Sequence, residues 1–281
     1  MEKVLVTGSC GFIGHHLVAE LKDRGFYVIG VDDLSTGRVK HAGLCDEFLA
    51  INCGDLFKED LEGVKWVFHL AADPRVVMSV GDPLATHENN ATVTLKLLLK
   101  ARDAGVEKFI FSSSCAVYGD PTIFPTPESE HTRPISPYGI QKLVSENYCE
   151  AFTRLYNFPT VSLRYFNVYG EGQNPDSPYS GVLTIFENSE TLTIFGDGKQ
   201  TRDFVCVKDI VSANITAAER GTGVYNVGTG VDNSINQVAA AFKKPIQYKE
   251  GRPGDPLRAV ADISRLRGIG WEPTVIGYER S

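Results

Sequence analysis

Apolar residues gather in short, nearly unbroken runs along the first half of the chain: Val4–Val6, Tyr27–Val31, Val64–Leu70, Phe109–Phe111 and Thr160–Phe166. The runs are rich in Val, Ile and Phe and do not alternate with polar residues. That pattern predicts strands buried on both faces. Between them lie stretches of helical character: Gly14–Arg24, His87–Ala104 with Leu95, Leu98 and Leu99 at helical spacing, and Tyr138–Tyr156. Strand, helix, strand in repetition predicts βαβ units and an α/β architecture with a doubly wound parallel sheet.

Beyond about Phe166 the pattern changes. Gly170–Gly181 is rich in Gly, Pro, Asn and Ser and reads as a loop, followed by short mixed elements up to Trp271. Phe204–Arg220 reads as a strand leading into a helix, and Val224–Val227 as a short strand. Both are expected to rejoin the large sheet. Residues 1–166 with 204–227 would then form one domain, and 167–203 with 228–281 a smaller α+β domain.

Composition narrows the class. The 281 residues are 42% apolar and 22% charged, a balance that supports a packed core. The net charge is −7 and there is no block of Lys and Arg, so neither nucleic acid nor an anionic membrane is an expected partner. No apolar run approaches the roughly 18–20 residues of a membrane-spanning helix. The first residues lack the pattern of a secretion signal, which makes the cytoplasm the expected location. Six scattered cysteines form no CxxC pair and no zinc-spaced cluster, so reduced thiols and no metal site are expected.

Two constellations carry chemistry. Gly8, Gly11 and Gly14 form a GxxGxxG turn between the first strand and the first helix. Gly8 permits the tight turn, Gly11 lets backbone approach a pyrophosphate, and Gly14 lets the helix pack on the strand. The helix start then offers free N–H groups and a positive dipole end to phosphates. Asp32 closes the second strand, 18 residues after Gly14. A carboxylate there accepts the hydroxyls of an adenosine ribose and repels a 2′-phosphate, which selects NAD over NADP. This is the dinucleotide-binding, Rossmann-type pattern.

The second constellation is Tyr138 and Lys142, four apart at the start of a helix and so on one face. A nearby ammonium favours the phenolate and should move the tyrosine towards neutral pKa, as a general base needs. Ser112, Ser113 and Ser114 lie upstream at the carboxyl end of a buried strand, the edge at which open α/β sheets bind ligands.

In this order, Gly8, Gly11, Gly14, Asp32, Ser114, Tyr138 and Lys142 resemble the extended short-chain dehydrogenase/reductase family, and within it the nucleotide-sugar epimerases of the UDP-glucose 4-epimerase group. The resemblance covers nearly the whole chain. It implies an NAD site formed by Gly8, Gly11, Phe12, Ile13, Gly14 and Asp32, flanked by Asp55, Leu56, Leu70, Ala71, Ala72, Asn90 and Ser112. It makes Tyr138 the catalytic base, Ser114 the catalytic hydroxyl and Lys142 the holder of the nicotinamide ribose. On the substrate side it assigns Asn167 and Arg202 to the diphosphate sugar. It also assigns Arg252 to phosphate, Asp255 to the uridine ribose, and Ala259 to a position where a small residue admits N-acetyl sugars. It implies a homodimer formed through helices His87–Ala104 and Tyr138–Tyr156, with Leu95, Leu99 and Leu143 serving either that face or the sheet.

The resemblance also separates reactions. Sugar dehydratases of the family follow the catalytic hydroxyl with Asp-Glu, and decarboxylating relatives carry a Glu where Ala116 stands here. Here Cys115 and Ala116 follow Ser114. A UDP-sugar 4-epimerase acting on UDP-glucose/galactose and the N-acetyl pair remains. The alternatives are a UDP-glucuronate 4-epimerase or decarboxylase and, in a different class, a non-catalytic NAD- or nucleotide-sugar-binding protein. Two departures fall on the substrate side: the stretch between Tyr179 and Leu192 is short, and Ser281 comes soon after Gly270–Pro273, where relatives continue into another helix.

Overall fold

A computed structural model describes residues 1–173, 181–251 and 257–276. Seven parallel strands form the central sheet: β1 (Lys3–Thr7), β2 (Tyr27–Val31), β3 (Glu47–Leu49), β4 (Val64–His69), β5 (Lys108–Ser114), β6 (Thr160–Tyr165) and β11 (Gly223–Val227), in the order β11-β6-β5-β4-β1-β2-β3. The chain order reverses between β1 and β4. Their carboxyl ends therefore diverge into a crevice, the place such sheets bind nucleotides.

The unbroken apolar runs are explained by burial on both faces. Along β1, Val4 and Val6 join one core cluster and Leu5 joins the other. Along β5, Ile110 faces the first cluster while Phe109 and Phe111 face the second. Helices α1 (Phe12–Asp23) and α7 (Val207–Arg220) cover the first face, through Leu17, Val18, Leu21, Ile210 and Val211. Helices α4 (Val93–Asp103) and α5 (Pro137–Tyr156) cover the second, through Leu97, Leu98, Cys149 and Phe152.

The structure departs from the sequence reading in three places. The helix expected over His87–Ala104 is broken into α3 (Pro83–His87), a π turn over Glu88–Thr92, and α4. The edge strand β3 was not foreseen, since its three residues offer no apolar run. The strand at Phe204–Cys206 (β10) does not rejoin the large sheet. It pairs in parallel with β7 (Asn167–Tyr169), and only its helix α7 and strand β11 return. Three residues are too short to reach past β6, whose outer edge β11 already occupies.

The remaining elements are small. A third core cluster joins α6 (Val182–Asn188), β8 (Leu192–Phe195) and α8 (Ile235–Phe242) through Leu183, Phe186, Ile194 and Phe242. Strands β9 (Thr201–Arg202), β12 (Asn233–Ser234) and β14 (Arg258–Ala259) form a three-stranded sheet beside it.

Candidate active site

The glycine turn has the geometry its spacing predicts. Gly8 adopts φ +68°, and a Cβ there would lie 2.9 Å from the amide nitrogen of Ala71 at the end of β4. A Cβ on Gly14 would lie 2.0 Å from the Gly8 carbonyl oxygen, so α1 can lie this close to β1 only with glycine there. Helix α1 starts after Gly11 with no side chain capping it. Its first N–H groups and dipole end are therefore presented to the crevice, an arrangement that suits a pyrophosphate. Leu70, Ala71 and Ala72 are half-buried opposite, and the Ala71 amide donates to Thr7 Oγ1 at 3.1 Å.

Asp32 is 8% exposed at the end of β2. Its Oδ2 accepts the Cys10 amide at 2.9 Å and its Oδ1 the Leu34 amide at 2.8 Å. Each carboxylate oxygen keeps acceptor capacity for a hydroxyl. Gly37 closes over it, since a Cβ there would meet Asp32 Oδ1 at 2.7 Å. Sequence reading missed this glycine, although it follows the acidic residue within the same loop. Asp55 is exposed and Leu56 fully buried in the turn after β3. These residues fit a dinucleotide with a free ribose.

The second constellation also converges. Ser136 caps α5 by accepting the Gly139 amide at 3.2 Å, and Pro137 fills its first turn, where no N–H is needed. A Cβ on Gly139 would lie 2.6 Å from the Ala116 carbonyl oxygen. This close approach sets the first turn of α5 on the end of β5, where the Ser114 hydroxyl lies near enough to the Tyr138 phenol to favour its ionised form. Lys142 donates to the Ser112 carbonyl at 2.7 Å and lies 5.8 Å from the Tyr138 ring centre.

One expectation is corrected here. Tyr138 is not drawn towards neutral: burial pushes its phenol up to about 12, with Ser114 pulling the other way and Cys115 and Asp73 adding to the rise. The physical reason is that base and cation are buried together. Burial disfavours the phenolate, and it also pulls Lys142 down to about 8, against the opposing charge of Glu146. The ammonium is moreover committed to a backbone carbonyl.

Asn90 has a different task from a free polar contact. It lies in the π turn and is 3% exposed. Its Oδ1 accepts the Asp73 amide at 2.7 Å, and its Nδ2 donates to the Asp73 carbonyl at 3.1 Å and to Gln141 Oε1 at 2.8 Å. It thus pins the loop after β4 to the helix that carries Tyr138. Asp73 in turn pairs with Arg75 at 2.6 Å. His69, at the end of β4, is bridged by Thr7 Oγ1 at 2.8 Å and Thr94 Oγ1 at 2.9 Å, and burial brings it down to about 3. It is a neutral imidazole that stitches two strands to α4.

On the substrate side, Asp203 organises the predicted residues. Its carbonyl accepts the Asn167 amide at 3.0 Å and Asn167 Nδ2 at 3.2 Å, and its own amide donates to the Ala259 carbonyl at 2.8 Å. Its fully buried carboxylate accepts from the Thr229 amide and hydroxyl, the Gly230 amide and the Ala261 amide, at 2.7–3.1 Å. Arg202 and Ala259 are paired across β9 and β14. Asn167, Arg202 and Ala259 are therefore held together by one residue that sequence reading passed over between Arg202 and Phe204. Arg252 and Asp255 lie outside the described residues.

A buried polar network runs beneath the serines. Arg164 on β6 pairs with Glu146 on α5 at 2.7 Å, and its Nη1 donates to Tyr118 Oη at 2.9 Å. Tyr118 donates to Asn226 Oδ1 at 2.7 Å. The only sequence signal for Glu146 was its position one helical turn after Lys142.

Comparison with known proteins agrees with this geometry. Residues 4–228 match the family described as the NAD dependent epimerase/dehydratase family. A UDP-glucose 4-epimerase of Mycolicibacterium smegmatis is 37% identical over 296 residues, covering 97% of this chain and 94% of that protein. The structure of UDP-N-acetylglucosamine 4-epimerase from Methanobrevibacter ruminantium M1, in complex with UDP-N-acetylmuramic acid, matches with a TM-score of 0.92 at 38% identity, covering 97% of this chain and 93% of that one. The UDP-glucose 4-epimerase of Thermotoga maritima, solved with UDP-glucose, matches with a TM-score of 0.91 at 40% identity over 97% of this chain and 94% of that one.

Proposed function

The chain belongs to the NAD dependent epimerase/dehydratase family, and from that premise we propose that it epimerises UDP-hexoses at C4 through a transient 4-keto sugar. The observation that carries this reading is the meeting of Ser114, Tyr138 and Lys142 at the carboxyl end of β5, with no acid at the two positions after Ser114. Water loss or decarboxylation would need a further acid–base group there. Removal of a hydroxyl proton needs only the base and its hydroxyl partner.

Bound NAD supplies the hydride acceptor for C4 and, while oxidised, a positively charged ring. Gly8, Gly11, Phe12, Ile13 and Gly14 would hold its pyrophosphate, Asp32 its adenosine ribose and Lys142 its nicotinamide ribose. Asp55, Leu56, Leu70, Ala71, Ala72, Asn90 and Ser112 would flank it. Tyr138 receives the O4 proton, and Ser114, beside the phenol, shares the substrate oxygen. Burial that raises the phenol to about 12 makes its phenolate a strong base for the O4 proton once it is ionised, and the positive charge of Lys142 would favour that ionised form.

Asn167 and Arg202 would bind the diphosphate, joined by Arg252, with Asp255 at the uridine ribose. A guanidinium fork suits paired phosphate oxygens. Ala259, paired with Arg202, is a small side chain where a bulky one would exclude an N-acetyl group, which supports UDP-GlcNAc/UDP-GalNAc as proposed substrates beside UDP-glucose/UDP-galactose. The reading takes the enzyme to be a cytoplasmic homodimer. Of the three leucines considered for a dimer face, Leu95 and Leu143 pack against the cores, while Leu99 is 38% exposed.

The test is proton NMR of the purified protein with UDP-N-acetylglucosamine, UDP-glucose and UDP-glucuronate in separate tubes, without added cofactor. A new anomeric signal of the C4 epimer from either of the first two establishes the reading. Turnover of the glucuronate alone replaces it with the uronate epimerase. Three unchanged spectra after NAD is supplied would leave a binding protein.

A further inference from the structure

Glu146 is 4% exposed and engaged at both oxygens. Its Oε1 accepts Ser113 Oγ at 2.5 Å and Arg164 Nε at 3.0 Å, and its Oε2 accepts Arg164 Nη2 at 2.7 Å. Ser113 is the middle serine of the strand end, paired in register with Arg164 on β6. Its two neighbours serve the proposed chemistry: the Ser112 carbonyl holds Lys142, and the Ser114 hydroxyl stands beside Tyr138 and favours its ionised form. Glu146 thus grips the strand between the anchor of the cation and the partner of the base.

A buried ion pair is a poor stabiliser, because desolvating two charges offsets most of their attraction. Stability alone does not explain placing one here, one helical turn from a buried lysine. We propose that Glu146 is a positioning residue for the epimerisation proposed above: through Ser113 and Arg164 it fixes the carboxyl end of β5, and it sets a negative charge one helical turn from Lys142. The groups facing Lys142 support this. From β5 come the Ser112 carbonyl and the Phe111 ring, 5.0 Å away; from β4 comes neutral His69; from α5 come Tyr138 and Glu146. Among the described residues, Glu146 is the one anion that raises the lysine.

Glu146→Gln removes the charge at nearly constant volume. In protein labelled with 15N-lysine, the titration midpoint of Lys142, assigned with Lys142→Arg, should fall by about one pH unit. The alkaline limb of kcat should move down with it. At pH 8 kcat should drop roughly ten- to hundredfold, while KM and the amount of retained NAD stay within twofold. Ser113→Ala severs only the strand contact, so it should lower kcat and leave the Lys142 midpoint in place. A folded Glu146→Gln protein with an unmoved midpoint and an unmoved kcat profile overturns the proposal. If Glu146→Gln does not fold, wild-type kcat in Ser113→Ala overturns it instead. A wild-type enzyme without turnover would sink the function, while the lysine midpoint would still report on Glu146.

Discussion

At the scale of single residues, the site rests on a phenol whose ionised, proton-accepting form is disfavoured by burial and favoured by Ser114. Tyr138→Phe removes the proton acceptor while keeping the ring. Turnover should fall by about 10²–10⁴-fold with UDP affinity unchanged, read by NMR turnover and by calorimetric titration with UDP. Ala259→Tyr fills the space beside Arg202, so kcat/KM for N-acetyl sugars should fall at least tenfold relative to UDP-glucose; equal losses on both would remove Ala259 from substrate selection. The glycine turn and the Tyr138–Lys142 pair were legible in sequence because their spacings are local: a turn of three glycines, and two side chains four apart on a helix. Their ionisation was not. The rise of Tyr138 and the fall of Lys142 come from burial under elements distant in the chain, and no spacing encodes that. Asp203 was invisible for the same reason, since all four donors to its carboxylate come from residues 229–261.

At the scale of elements, β1, β4 and α4 meet at His69. Folded, this imidazole takes up a proton only near pH 3, whereas unfolded it does so near 6.5. The unfolded chain therefore binds more protons between these values, and stability falls as pH drops below 6.5. The loss from this one group should reach about 2 kcal/mol between pH 6.5 and 5. Urea midpoints measured across that interval should decline less steeply in His69→Gln than in the wild type. Gly14→Ala tests the α1–β1 contact. With a Cβ 2.0 Å from the Gly8 carbonyl, the turn must open, and both NAD retention and thermal stability should drop. The central strands were readable from their apolar runs. The failures came at margins: β3 and β10 are three residues each and owe their existence to a neighbouring strand, and the π turn exists because Asn90 and Thr94 bond inward.

At the scale of the molecule, helices α4 and α5 leave apolar side chains uncovered on one flank. Leu99, Tyr148 and Leu155 are exposed there, Leu155 by 67%. If this flank joins two copies, Leu99→Glu combined with Tyr148→Glu should shift the protein from dimer to monomer in size-exclusion chromatography with light scattering; an unchanged mass would place the interface elsewhere or exclude it. The doubly wound core could be inferred from sequence because each βαβ unit is contiguous. The substrate side could not, because β7, β9 and β14 are assembled from segments far apart in the chain.

That dispersal gives the protein a timetable. On the ribosome, the seven-stranded sheet has all its strands once Val227 has emerged, and with it the glycine turn and Tyr138. Asp203 has emerged by then, yet Thr229, Gly230, Ala259 and Ala261, which hold it, have not. The nucleotide fold is thus ready before the sugar side can set. A late frameshift or a trimmed tail would leave a protein that still holds its dinucleotide and no longer grips its sugar.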